Sequence, residues 1–163
     1  MIKISENEVF DIVFNHNLSI NLLKENQLNV SFVNWLFPYL NDEFLEEVVQ
    51  NQEDYSEFIQ EYIKPIMGWG ILLDNFEYIS MKITDAGMIH LIGEGATLIG
   101  RDSRYDTKLE IKQNIFNHLK RLDIFCKYQK KLNNSKYELY KELKIEPTFY
   151  RFKRKVPIIN NFY

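Results

Sequence analysis

The stretch Tyr55–Met67, YSEFIQEYIKPIM, carries apolar side chains at Tyr55, Phe58, Ile59, Tyr62, Ile63, Ile66 and Met67. These positions follow i, i+3, i+4, i+7, i+8, i+11 and i+12, one face of a helix held over three turns and not the alternation of a half-buried strand. A face this long needs cover along its whole length, so the segment reads as a central amphipathic helix with other helices packed around it. Pro65 removes one amide donor, and a kink is expected near Glu61 to Pro65. Gly68 and Gly70 flank Trp69 and leave space for a neighbour to come close; packing under a bend is the preferred reading.

On the N-terminal side, Ser5 and Glu8 have the spacing of a capping box, and Val9, Ile12 and Val13 give a short stripe, so a helix is expected over 5–15. An Asn-rich interval follows, with room for a further helical turn at Ile20 to Lys24. Val30, Val33, Leu36, Phe37 and Leu40 keep helical spacing until Pro38 and Asn41-Asp42 interrupt it. A helix over Asp42 to Gln50 then buries Phe44, Leu45, Val48 and Val49. On the C-terminal side, alternation over Ile79–Ile83, a turn at Thr84–Gly87 and Met88–Ile92 suggest a small β-hairpin. Thr107 and Glu110 form a second capping-box candidate, opening a long helix through Leu109, Phe116, Leu119, Leu122, Cys126 and Leu132. The expected fold is mainly α: a compact helical bundle with a kinked central helix, a long C-terminal helix, a small hairpin and an extended C-terminal arm. Its parts are an N-terminal helical extension (1–30), a helical core (31–140) and a basic, aromatic arm (141–163).

At 163 residues, one domain burying roughly 70% of its unfolded surface is the economical reading. Hydrophobic residues at 45% and aromatics at 15% argue against disorder. The N-terminus MIKISENEVF has early carboxylates and no long apolar core, and Ile66–Leu73 is far too short to span a bilayer, so a soluble, non-exported protein is expected. The single cysteine, Cys126, forms no disulfide framework and is read as a small core residue. The scattered His16, His90 and His118 have no metal-ligand spacing, and no metal or cofactor is expected.

Net charge is −3, yet residues 1–102 hold 5 Lys and Arg against 17 Asp and Glu, while residues 103–163 hold 15 against 6. Such a division fits either nucleic-acid contact by the basic part or complementary packing between chains. Asp42/Glu46 and Glu43/Glu47 have i, i+4 spacing and read as a solvated acidic face. Gly95–Asp102, GATLIGRD, has the glycine spacing of a phosphate loop but closes on Arg101 and Asp102 where Lys and a hydroxyl belong. Gly95, Gly100, Arg101 and Asp102 are therefore read as a surface loop without nucleotide. No nucleophile elbow or metalloprotease motif is present, and a non-enzymatic protein is expected.

The tail from Glu146 interleaves Phe149, Tyr150, Arg151, Phe152, Lys153, Arg154 and Lys155, and Pro147 and Pro157 favour an extended course. These residues suit phosphate contact with base stacking, as in a small nucleic-acid-binding regulator. They equally suit an arm lying along another subunit. Ile158, Ile159, Phe162 and Tyr163 require an apolar groove that nucleic acid does not offer, which favours the arm.

WLFPYLNDEFL (Trp35–Leu45), YIKPIMGWGIL (Tyr62–Leu72) and ITDAGM (Ile83–Met88), followed by a long helix ending near Tyr140, occur in an order that resembles the head-tail connector proteins of tailed bacteriophages, including neck ring proteins of crAss-like phages. The likeness runs from Phe32 onward, rests on packing residues and leaves the first 30 residues unexplained. It implies a structural virion protein, made in the host cytoplasm. Copies would form a homo-oligomeric ring of about twelve under the portal protein, next to adjoining neck or tail rings. The ring would continue the DNA channel without sequence specificity and without membrane contact. The arm residues Phe149–Lys155, Ile158, Ile159, Phe162 and Tyr163 would dock on the portal or a neighbouring ring, and the Gly95–Asp102 loop would lie on the ring surface.

Overall fold

The structure, a computed structural model, describes residues 1–14, 23–79 and 101–144. Among the described residues the longer helices are, in order, α1 (Glu6–Phe14), α2 (Glu25–Trp35), α3 (Asp42–Gln50), α4 and α5 (Arg101–Lys131). Helix α4 begins as Ser56–Phe58, widens into a π turn over Ile59–Ile63 and resumes as Lys64–Asp74. A 3-10 turn, Ser135–Tyr137, follows α5. Among the described residues there is no strand, and the chain is mainly helical. The expected hairpin lies outside the described residues except for its first residue, Ile79, which is helical and buried.

The face read from Tyr55–Met67 is the centre of the molecule. Tyr55, Phe58, Ile59, Ile63, Ile66 and Met67 are all buried, and half-buried Tyr62 packs on them. Helix α4 is flanked by α1, α2 and α5. At the expected kink stands the π turn, with the Lys64 amide donating to the Ile59 carbonyl. Pro65 has no amide for the carbonyl four residues back, and it falls in the first turn of the resumed α-helix, where that loss is tolerated.

Helix α1 starts on the capping box seen in the sequence: the Ser5 amide donates to Glu8 Oε2 (2.8 Å) and the Glu8 amide to Ser5 Oγ (3.3 Å). Ile2, Ile4 and Val9 enter the common core, so the first residues are integral to the body. The glycines of α4 admit side chains rather than a backbone. A Cβ on Gly68 would meet Ile12 at 3.2 Å, and one on Gly70 would overlap the Trp35 indole well inside 3.0 Å. That indole is held by its Nε1–H donating to Asp74 Oδ2 (3.0 Å), beside Asn34 Nδ2 donating to the same oxygen (3.2 Å).

Two expectations need correction. Helix α2 starts at Glu25 rather than Val30, and it buries Ser31, Phe32, Leu36 and, beyond its end, Leu40. Val30, Val33 and Phe37 face outward at 48%, 52% and 41% exposure. The expected row thus holds at Leu36 and Leu40 and fails at Val30, Val33 and Phe37, because α2 has apolar residues on both sides. Helix α5 starts at Arg101 rather than Thr107, since nothing between Gly100 and Thr107 breaks a helix. Its buried row is Ile111, Ile115, Leu119, Leu122 and Cys126. At about 100° per residue Leu109 falls well off that row, and Leu109 and Leu132 are exposed.

Gly70→Ala is expected to destabilise the protein by about 1–3 kcal/mol despite alanine's better helix propensity, because the methyl displaces Trp35. Gly68→Ala should change stability much less. Urea unfolding of both variants checks this, and an equal response would show that Trp35 is not seated on Gly70. Burial raises the Glu8 pKa, but hydrogen bonds from Lys64 and Ser5 and the Lys64 charge hold it below its ordinary 4.5. The stability Glu8 contributes is present above pH 4.5 and is lost as pH falls through the lower folded value, so Glu8→Gln should flatten the acid limb of a stability–pH profile.

Candidate functional site

The arm residues Phe149, Tyr150, Arg151, Phe152, Lys153, Arg154, Lys155, Ile158, Ile159, Phe162 and Tyr163 lie outside the described residues, as do Gly95 and Gly100. Arg101 and Asp102, expected in a surface loop, are the first residues of α5. The structure does define the root from which the arm leaves the body. After α5 the chain reverses at Asn133, whose φ of 55° is left-handed backbone that Asn tolerates. The Asn134 side chain accepts from the Lys136 amide (3.2 Å) and starts the 3-10 turn.

Residues 139–144 then run antiparallel along the segment that joins α2 to α3. Asn41, nearly fully buried, donates through Nδ2 to the Leu139 carbonyl (3.0 Å) and accepts at Oδ1 from the Lys141 amide (3.0 Å). The Lys144 amide donates to the Tyr39 carbonyl (2.8 Å). Lys144 Nζ donates to the Phe37 carbonyl (3.3 Å) and to Asp42 Oδ1 (2.7 Å), and Lys141 Nζ to Glu43 Oε2 (2.8 Å). Two carboxylates of the α3 acidic face thus hold the root in place. Together with Lys108–Glu77 and Lys136–Asp54, these pairs show the acidic front of the chain meeting its basic back within one chain.

Aromatic packing clamps the same region. The Phe44 ring lies 5.3 Å from Tyr140, 5.8 Å from Phe58 and 6.1 Å from Tyr137, and Tyr62 stacks on Phe125 at 4.5 Å. The phenols are satisfied: Tyr55 donates to the Lys136 carbonyl (2.5 Å) and Tyr140 to Asp123 Oδ1 (2.5 Å). Burial, with nearby Glu47, pushes the Tyr55 phenol up to about 12. Burial raises Tyr137, and burial together with the Asp123 bond raises Tyr140. Cys126 sits fully buried behind this cluster, its thiol raised by burial and by Asp123, far from the thiolate a nucleophile requires.

Two surfaces flank the root. Asp54, Glu57 and Glu61 rim a recess of about 340 Å³ floored by Phe58, Tyr62, Phe125 and Tyr137 and closed by Lys136. On the outer side of α5, Ile124, Tyr128 and Leu132 form an apolar row at 68%, 58% and 58% exposure, beside Arg121. Among the described residues no three His, Cys, Asp or Glu side chains gather as a metal site, and no helix is long and apolar enough to cross a membrane. No family model, curated protein or solved structure matches the chain. The features gathered here are an outward apolar helix face, an acidic rim and the anchored segment 139–144. Sequence reasoning missed Asn41, which looked like a helix interruption; its only outward sign is its place immediately before Asp42 and Glu43.

Asn41→Ala is expected to cost about 1–3 kcal/mol, because it removes the hydrogen-bond partner of both the Leu139 carbonyl and the Lys141 amide. Amide exchange at Lys141 and Lys144 should accelerate together; unchanged exchange would show that Asn41 does not hold the root. The raised phenols favour the folded state fully below pH 10, and that contribution fades as pH climbs from 10 toward 12 and beyond. Alkaline unfolding should therefore coincide with a cooperative rise in phenolate absorbance; gradual independent titration would contradict it.

Proposed function

We propose that this protein is a structural subunit of a bacteriophage neck: copies assemble into a ring, of about twelve, that joins the portal to the tail and continues the DNA channel. The observation that carries the reading is the outward row Ile124, Tyr128 and Leu132 on α5. It keeps i, i+4, i+8 spacing on the side of the helix away from the core, so a second helical face has apolar surface to bury. Repeated around an axis, a contact between this row and a different patch of the next copy closes into a ring. The order of packing segments, which resembles that of head-tail connectors, supports the same reading. The arm root supports it too, because a body that fixes where the arm emerges can direct Phe149–Lys155, Ile158, Ile159, Phe162 and Tyr163 toward the portal or an adjoining ring.

The decisive measurement is the copy number of this chain relative to the portal protein in purified particles. About one copy per portal subunit is expected; absence from particles would sink the neck reading. Truncation after Lys144, which leaves the described body whole, should preserve helical circular dichroism and abolish co-purification with the portal. If the truncated chain instead loses a steeply salt-dependent DNA affinity, the basic aromatic arm belongs to a nucleic-acid-binding regulator. Ile124→Asp with Tyr128→Asp should block ring formation while leaving the monomer folded.

A further inference from the structure

The recess beside the 3-10 turn combines an aromatic floor with a charged rim. Phe58, Tyr62 and Phe125 stack on one another with interplanar angles of 22° to 26°, and Tyr137 meets Phe125 edge-on. Around them stand the carboxylates of Asp54, Glu57 and Glu61 and one ammonium, Lys136, so two of the three negative charges are left uncompensated. Lys136 shows what this surface does with a cation. Its Nζ donates to the Asp54 carbonyl (3.0 Å), pairs with Asp54 Oδ1 (3.5 Å) and stands 5.9 Å from the centre of the Tyr55 ring, a distance at which charge and ring attract. Glu57 and Glu61, four residues apart on α4, offer the same two kinds of group together with Tyr62 and Phe125. Among the described residues neither glutamate has an ion pair or a side-chain hydrogen bond. Arg121 lines the neighbouring hollow with Ile124 and Tyr128 and not this recess.

We propose that this recess binds the guanidinium of an arginine presented by a basic segment of a partner protein. A guanidinium is planar: it lies flat on an aromatic face while its fork of N–H donors reaches carboxylates at the edge, whereas a compact ammonium does only one of these well. The volume, about 340 Å³, stands at the low end for ligand pockets and suits one long side chain better than a cofactor. The uncompensated charge selects a basic partner and turns away phosphate, which excludes nucleic acid from this surface. Exposed carboxylates hold a cation weakly by themselves, and the ring floor strengthens the contact by keeping water from one side of it. Arginine against tyrosine in a pocket is also a common anchor of protein interfaces. Two of the lining residues, Glu61 and Tyr62, belong to the π turn of α4, a kind of turn that recurs at functional sites. The assignment does not rest on the neck reading, and it is tested on the isolated chain.

The probe is a blocked Ala-Arg-Ala tripeptide, titrated into the millimolar range against the full chain while the ring resonances of Tyr62 and Phe125 are followed by NMR. Saturable shifts are expected, with cross-relaxation between the arginine side chain and these two rings. The same peptide with citrulline, which keeps the shape and loses the charge, should bind several-fold more weakly, and so should a lysine peptide. Glu57→Gln with Glu61→Gln should weaken the arginine peptide several-fold without changing urea unfolding, since both side chains are exposed. Glu25→Gln with Glu46→Gln removes the same charge from exposed sites outside the recess and should leave binding unchanged. Absence of saturable shifts overturns the proposal, as does equal binding of the citrulline peptide. Equal binding of the lysine peptide overturns the assignment to guanidinium. An equal loss in the two double variants would mean that net charge, and not this recess, attracts the peptide.

Discussion

The continuous apolar face of α4 has to be covered along its full length, and the rest of the molecule is arranged to do so. α1 covers it through Ile12 over Gly68, α2 through Trp35 over Gly70, and α5 through the row from Ile111 to Cys126. The N-terminal half of α4 faces the Phe44 and Tyr137 rings instead. The π turn sits where these two kinds of cover meet. Small-residue contact on one side and ring packing on the other demand different separations, and one helix satisfies both by changing its winding midway.

What could be read from the sequence follows the strength of each pattern. Tyr55–Met67 has one apolar face and one polar face, so its helix and its buried residues were both legible. Ser5 and Glu8 were legible because a capping box is a local chemical exchange that needs nothing from the fold. In α2 the apolar residues fall on two sides, and only the position of α4 decides that Phe32 and Leu36 go inward while Val33 and Phe37 stay out. In α5 the Thr107–Glu110 signature was misleading, since such a pair permits a start but does not enforce one when RDSRYD ahead of it also accepts helix. The arm root was the least legible part: Asn41 and Lys141 are a hundred positions apart, and no periodicity reports such a meeting.

The unequal charge of the two halves takes on a definite meaning in the fold. Lys108, Lys136, Lys141 and Lys144 each find a carboxylate from the front half, so part of the imbalance is internal glue between segments distant in sequence. These pairs are exposed and individually weak. Their role is positional: they choose which way the final segment runs over the body, and the buried Asn41 bonds then hold it there.

The bonds joining 139–144 to 37–41 span 98 to 107 positions, and this separation has a kinetic consequence. Loops of that length close late, after local helices have formed and α4 has gathered its neighbours. The exit direction of the arm is therefore among the last features the chain acquires during folding. A chain still incompletely collapsed carries the same basic and aromatic residues but gives them no course. Until these bonds form, the chain beyond Lys144 has no fixed point of departure from the body.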